Sequence, residues 1–163
     1  MLLLLFTTTA LASPPSPAPG AAARALSFMA VSGAKLAIAH RMTNNPHVDL
    51  ACVQQLNDYA LASAFEPALE QQLTKAQLDN ADKYYATPLA KRYTAFRLQQ
   101  LSGVVGSKIK KPVSLTALQL NQVTEFGASD TGVALNKFNS KGNKKTAAIL
   151  IPAITALFKQ CWK

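Results

Sequence analysis

The sequence predicts an all-α fold, a helical bundle of six to eight helices containing two repeated helical hairpins. Three observations carry this. Apolar residues recur at helical spacing along most of the chain, strand-like alternation is absent, and a capped sixteen-residue pattern is written twice, 42 residues apart. The 163 residues fit one domain with a real core.

The chain opens on "MLLLLF", an apolar run too short to span a bilayer, followed by an A-x-A pattern at Ala10–Ala12. Residues 1–12 are therefore expected to be a signal peptide, and residues 13–22, with "SPPSPAPG", a Pro/Ser-rich leader. No Lys or Arg precedes the apolar run, which leaves open a true start further upstream. The single helical domain is expected over 23–163, and no later segment reads as a transmembrane span.

Its first helix is expected over Ala22–Arg41, apolar and Ala-rich, with Gly33 as a weak point. "MTNNPH" reads as a loop, and Val48 to about Ala64 as one helix. Pro67 is expected to break the chain before "ALEQQL".

The repeat follows. "LTKAQLDNADKYYATP" begins at Leu73 and "LTALQLNQVTEFGASD" at Leu115. Thr74 and Thr116 sit at N-caps, with Gln77 and Gln119 at the capping-box spacing. Leu73 with Leu78, and Leu115 with Leu120, have the spacing of a hydrophobic staple. Tyr85 and Phe126 continue the apolar faces. Thr87 and Ser129 then read as fresh N-caps, before Pro88 at a first helical position and Asp130 at a positive helix end. Each copy thus spells helix, tight break, helix. The return helices are expected over Pro88–Val105, with Leu89, Tyr93, Phe96 and Leu101 inward, and Asp130–Asn139, with Val133, Leu135 and Phe138 inward. A last helix, Thr146 to about Trp162, should bend or restart at Pro152.

"YYATPLAK", Tyr84 to Lys91, resembles a hallmark of a family of exported bacterial helical domains of unknown function, a pattern like Phe-Tyr-x-Ser-Pro-x-Gly-Lys. Tyr84, Tyr85, Thr87, Pro88 and Lys91 match in kind, and Ala90 stands where Gly is expected. The second copy matches at Phe126, Ser129 and Gly132 but departs at Gly127 and Asp130. The resemblance covers about Leu73–Lys91 and, more faintly, Leu115–Leu135. It implies a periplasmic helical domain and no particular activity.

Two cysteines, Cys52 and Cys161, lie on apolar stripes. In an oxidising compartment such a pair is expected to form a disulfide.

The charge is uneven. Residues 1–82 hold 4 Lys/Arg and 6 Asp/Glu, a net of −2; residues 83–163 hold 13 and 2, a net of +11. The densest basic loops are "KIKKP" and "KGNKK", so Lys108, Lys110, Lys111, Lys141, Lys144 and Lys145 are the candidate residues for an anionic partner. If the hairpins are equivalent units, both loops fall at one end. For an exported protein this favours an acidic protein or an anionic envelope component over nucleic acid.

Catalytic chemistry is thinly represented. His40 and His47, with Asp49, are the one candidate metal or acid–base group, and they read better as loop histidines at helix ends. Glu66 and Glu70 share one helix face and read as solvated. No phosphate-loop, nucleophile-elbow, zinc-protease or calcium-loop motif occurs. The expectation is a periplasmic or secreted binding protein, not an enzyme, with no catalytic residue, metal or cofactor. An immunity or inhibitor type suits its size. The alternatives are a lipid or small apolar ligand carrier and, less favoured, a hydrolase. Nothing in the sequence fixes the oligomeric state.

Overall fold

The computed structural model describes residues 18–104 and 112–163. The expected signal peptide 1–12 and half of the expected leader, residues 13–17, therefore lie outside the described residues, as do Lys108, Lys110 and Lys111. Eight helices are present among the described residues: α1 (Ala21–Arg41), α2 (Leu50–Gln55), α3 (Ala62–Glu70), α4 (Lys75–Ala86), α5 (Pro88–Val104), α6 (Ala117–Ala128), α7 (Asp130–Phe138) and α8 (Lys144–Lys159). No strand is formed there beyond an isolated bridge between Val48 and Trp162.

α1 is the hub. It packs on α2, α3, α4 and α5 and buries Ala22, Ala23, Leu26, Ser27, Val31 and Lys35. By length and composition alone it could also cross a membrane. Here it lies in the bundle. Its first turn has no side-chain cap of its own, and the free amides are satisfied from afar. The Asp82 carboxylate accepts from the Ala22 N–H (2.7 Å), and Glu66 accepts from the Gly20 N–H (2.9 Å). Two carboxylates at the positive end of a helix also complement its dipole.

The single helix expected over Val48–Ala64 is two helices with a turn between them. The cause lies in α1. The buried Lys35 ammonium donates to the carbonyls of Gln54 and Leu56 and pairs with Asp58 at 2.9 Å. Ser32 donates to the same carboxylate (3.1 Å). Ser27 donates to the Asp58 carbonyl (3.1 Å) and accepts from the Leu61 N–H (3.0 Å). Asn57 folds the turn locally by accepting from the Tyr59 N–H. These bonds satisfy the chain end of α2, so the helix gains nothing by continuing.

The break expected at Pro67 does not occur, and the last helix does not restart at Pro152. α3 runs through Pro67 and α8 through Pro152. Both prolines are exposed, and so are Ser63 and Ala148, the residues whose carbonyls lose a donor. Water can serve those carbonyls, which lowers the cost of an interior proline.

The repeat forms as written. Both capping boxes are complete: Thr74 and Thr116 accept from Gln77 and Gln119 N–H (3.2 Å each), and each glutamine accepts back from its threonine's N–H. The tight break rests on one hydroxyl used twice. Thr87 Oγ1 donates to the Tyr84 carbonyl (2.7 Å) and accepts from the Ala90 N–H (3.1 Å). Ser129 Oγ does the same with Phe126 (2.6 Å) and Gly132 (3.1 Å). One residue thus closes the first helix and opens the second, leaving no linker.

Within the hairpins the buried faces differ from expectation. α5 buries Ala90 and Thr94, while Leu89, Tyr93 and Phe96 are half-buried and Leu101 is exposed. Small side chains on that face let α5 approach α1 closely. α7 buries Thr131, Gly132, Leu135 and Phe138 but exposes Val133. α6 has no fully buried residue; Leu118 and Leu120 are exposed, and Phe126 packs on the core. The expected staple leucines Leu73 and Leu78 both belong to the core in the first copy.

The second hairpin is held against the first by crossed contacts, α4 on α7 and α5 on α6. The returning strand of chain is pinned along α5: Gln99 pairs with both backbone groups of Val113, and Arg92 Nε donates to the Ser114 carbonyl.

The C-terminus closes the bundle. Cys52 and Cys161 form the expected disulfide, 109 residues apart in sequence and 5.5 Å between Cα atoms. Asp49 N–H donates to the Cys161 carbonyl (2.8 Å), and Lys163 N–H to that of His47 (2.9 Å).

Candidate anion-binding face

Of the six lysines expected to face an anionic partner, Lys141, Lys144 and Lys145 lie within the described residues. All three are exposed, in the turn between α7 and α8 and the first turn of α8. Lys144 and Lys145 line a cleft of about 720 Å³ together with Lys137, from the last turn of α7. Gln71, Gln72 and Gln77 form its other wall. Lys137 was not among the sequence candidates, because its role depends on α7 ending beside the start of α8.

A polar cluster fixes this turn. Asn143 caps α8, its side chain accepting from the Thr146 N–H (3.1 Å) and donating to Gln72 Oε1 (2.6 Å). Thr146 Oγ1 donates to the Phe138 carbonyl (3.1 Å) and accepts from Gln72 Nε2 (3.0 Å). Gln72, at the end of α3, thereby locks both helices of the basic turn to the core.

The charges here run against helix electrostatics. Lys144 and Lys145 occupy the first turn of α8, which contains no acid. Cations at a helix N-terminus cost on the order of a few tenths of a kcal/mol each, where acids would stabilise. An arrangement that a stable fold does not require is where function is expected.

Few acids are free to answer these cations. Asp49 caps α2 by accepting from the Cys52 N–H, Asp58 pairs with Lys35, and Glu66 and Asp82 cap α1. Asp130 accepts from Gln77 Nε2 (2.9 Å). Among the described residues the Lys35–Asp58 contact is the one ion pair.

His40 and His47 are exposed, and Asp49 is occupied as a cap. Among the described residues no group of three or more His, Cys, Asp or Glu side chains is gathered to hold a metal. The tyrosine cluster beside the first hairpin break is a packing unit. Tyr84 and Tyr85 meet edge to face, and both pack on Phe126. Burial pushes the Tyr85 hydroxyl up to about 12, with Tyr84 and Tyr93 adding to the effect, and raises that of Tyr84 as well.

Comparison of the chain with protein-family models, with curated proteins and with solved structures finds no match in any of the three.

Proposed function

We propose that the protein is an exported, non-catalytic binding protein that presents the α7–α8 turn to an acidic protein. The observation that carries this is the convergence of Lys137, Lys144 and Lys145 on one cleft, two of them at a helix end that disfavours cations. A concave site lined by three lysines suits a protruding acidic segment better than a flat lipid surface. An immunity or inhibitor role fits this mode, in which a small rigid domain covers an acidic face of a larger protein. The disulfide supports export, because such bonds persist in oxidising compartments. The apolar start and the resemblance to exported helical domains point the same way.

The test is capture from envelope extract by the oxidised protein at low and high salt, beside a variant carrying Lys141→Glu, Lys144→Glu and Lys145→Glu. The expected result is an acidic protein retained at low salt, released at high salt and lost by the variant. Equal capture by the variant overturns the reading.

A further inference from the structure

A second cleft lies on the opposite part of the sequence from the basic turn, between α1 and the start of α5. It measures about 490 Å³, within the range of small-ligand sites. Its wall is aromatic: Phe28 and Tyr59 stack at 5.7 Å between ring centroids and 24° between planes. Tyr59 is 46% exposed, although it is part of this stack. The floor is of small residues, Ala25 and Ala95 among them, which leave the volume open.

Two cations line the cleft. Arg24 lies over the Tyr59 ring at 5.3 Å, and Lys91 comes from the first turns of α5. No acidic side chain lines it among the described residues. The nearest acids to this end of α1, Glu66 and Asp82, are engaged with the Gly20 and Ala22 amides. The cleft therefore combines an aromatic wall, open volume and two cations that form no ion pair among the described residues.

We propose that this cleft is a binding site for a small aromatic anion, a fused-ring carboxylate or sulfonate. The ring packs on the part of this aromatic wall that Tyr59 leaves exposed, where offset aromatic contacts add to area burial. The acid group meets Arg24 and Lys91. Arg24 suits a carboxylate because its planar fork makes paired hydrogen bonds. An aliphatic acid makes the charge contacts without the stacking, and a neutral ring the reverse. The site is separate from the α7–α8 turn and does not rest on the partner reading.

The test is calorimetric titration of the oxidised protein with naphthoate, beside naphthalenemethanol and laurate. Naphthoate is expected to bind at least tenfold more tightly than either. Arg24→Gln and Lys91→Gln, both at exposed positions, are each expected to weaken it by about tenfold. Ala95→Phe fills the cleft and is expected to abolish binding. The charge reversals at Lys141, Lys144 and Lys145 leave the affinity unchanged, which separates this site from the basic turn. Naphthoate dissociation constants above about 1 mM, or unchanged affinity in both Arg24→Gln and Lys91→Gln, overturn the proposal. Tighter binding of laurate overturns the aromatic assignment.

Discussion

Tyr84 and Phe126 stack face to face, 3.5 Å between centroids and 3° between planes. They occupy the same position in the two copies of the repeat, 42 residues apart. A position that meets its own equivalent is the mark of an isologous contact, as across a two-fold axis. The reciprocal packing of α4 on α7 and α5 on α6 agrees. The two hairpins are thus joined as a dimer joins, within one chain.

This stack should behave as a coupled pair. Tyr84→Leu and Phe126→Leu are each expected to destabilise the fold. A double-mutant cycle by urea denaturation should return a coupling of about 0.5–1.5 kcal/mol. A value near zero would make the stacking incidental.

Tyr85, in the same cluster, gives the fold an alkaline limit. Its hydroxyl titrates at about 12 in the folded protein against 10.0 ordinarily. Above pH 10 the unfolded chain loses this proton while the folded chain keeps it. Stability therefore falls as pH rises from 10 toward 12, by about 2 kcal/mol in all. Unfolding free energies measured across that window should flatten in Tyr85→Phe.

The two hairpin breaks should be equally sensitive to their shared hydroxyl. Thr87→Val and Ser129→Ala each remove a bond to a carbonyl and a cap to an amide. Each should cost about 1–2 kcal/mol. Thr87→Ser and Ser129→Thr keep both bonds and should stay within about 0.5 kcal/mol of the parent by thermal denaturation.

Glycines at two helical positions should respond in opposite directions. A Cβ on Gly132 would collide with the Phe126 carbonyl oxygen, so Gly132→Ala should destabilise by about 1–3 kcal/mol. A Cβ on Gly33 would meet only Leu101 Cδ1 at 3.8 Å. Gly33→Ala should therefore stabilise α1 by about 0.5–1 kcal/mol. Chemical denaturation of the two variants reads both signs directly.

Reduction should be costly. The disulfide closes a loop of 109 residues, worth about 4–5 kcal/mol in the chain-entropy treatment. Cys52→Ser with Cys161→Ser should lower the melting temperature to that of the reduced parent. A matching melt with and without reductant would show the bond contributes little.

The repeat was legible because its determinants are local. A capping box uses a threonine and a glutamine three residues apart, and the break uses one hydroxyl with its neighbours on either side. Cys52 and Cys161 were legible by elimination, being the two cysteines of the chain, each on an apolar stripe. The turn between α2 and α3 was not legible, because Lys35, which ends α2, lies about twenty residues earlier. Pro67 misled because the cost of an interior proline depends on which side of the helix faces water. On the basic face, the lysine pattern pointed to Lys144 and Lys145 but not to Lys137, whose place follows from the α7–α8 geometry. The α1–α5 cleft left no mark in the sequence; its lining is drawn from α1, α4, α5, the α2–α3 turn and Pro19.

The Cys52–Cys161 bond draws a covalent ring around α3–α8, and α1 lies wholly outside it. Among the described helices, the one that contacts the most neighbours is therefore the one held by no covalent tie beyond its own loop. It is a plug in a closed ring. α1 can be severed from the ring between Arg41 and Asp49 without cutting any bond that the ring needs. A chain cut there would hold α1 by packing and hydrogen bonds alone, the arrangement that fragment complementation requires.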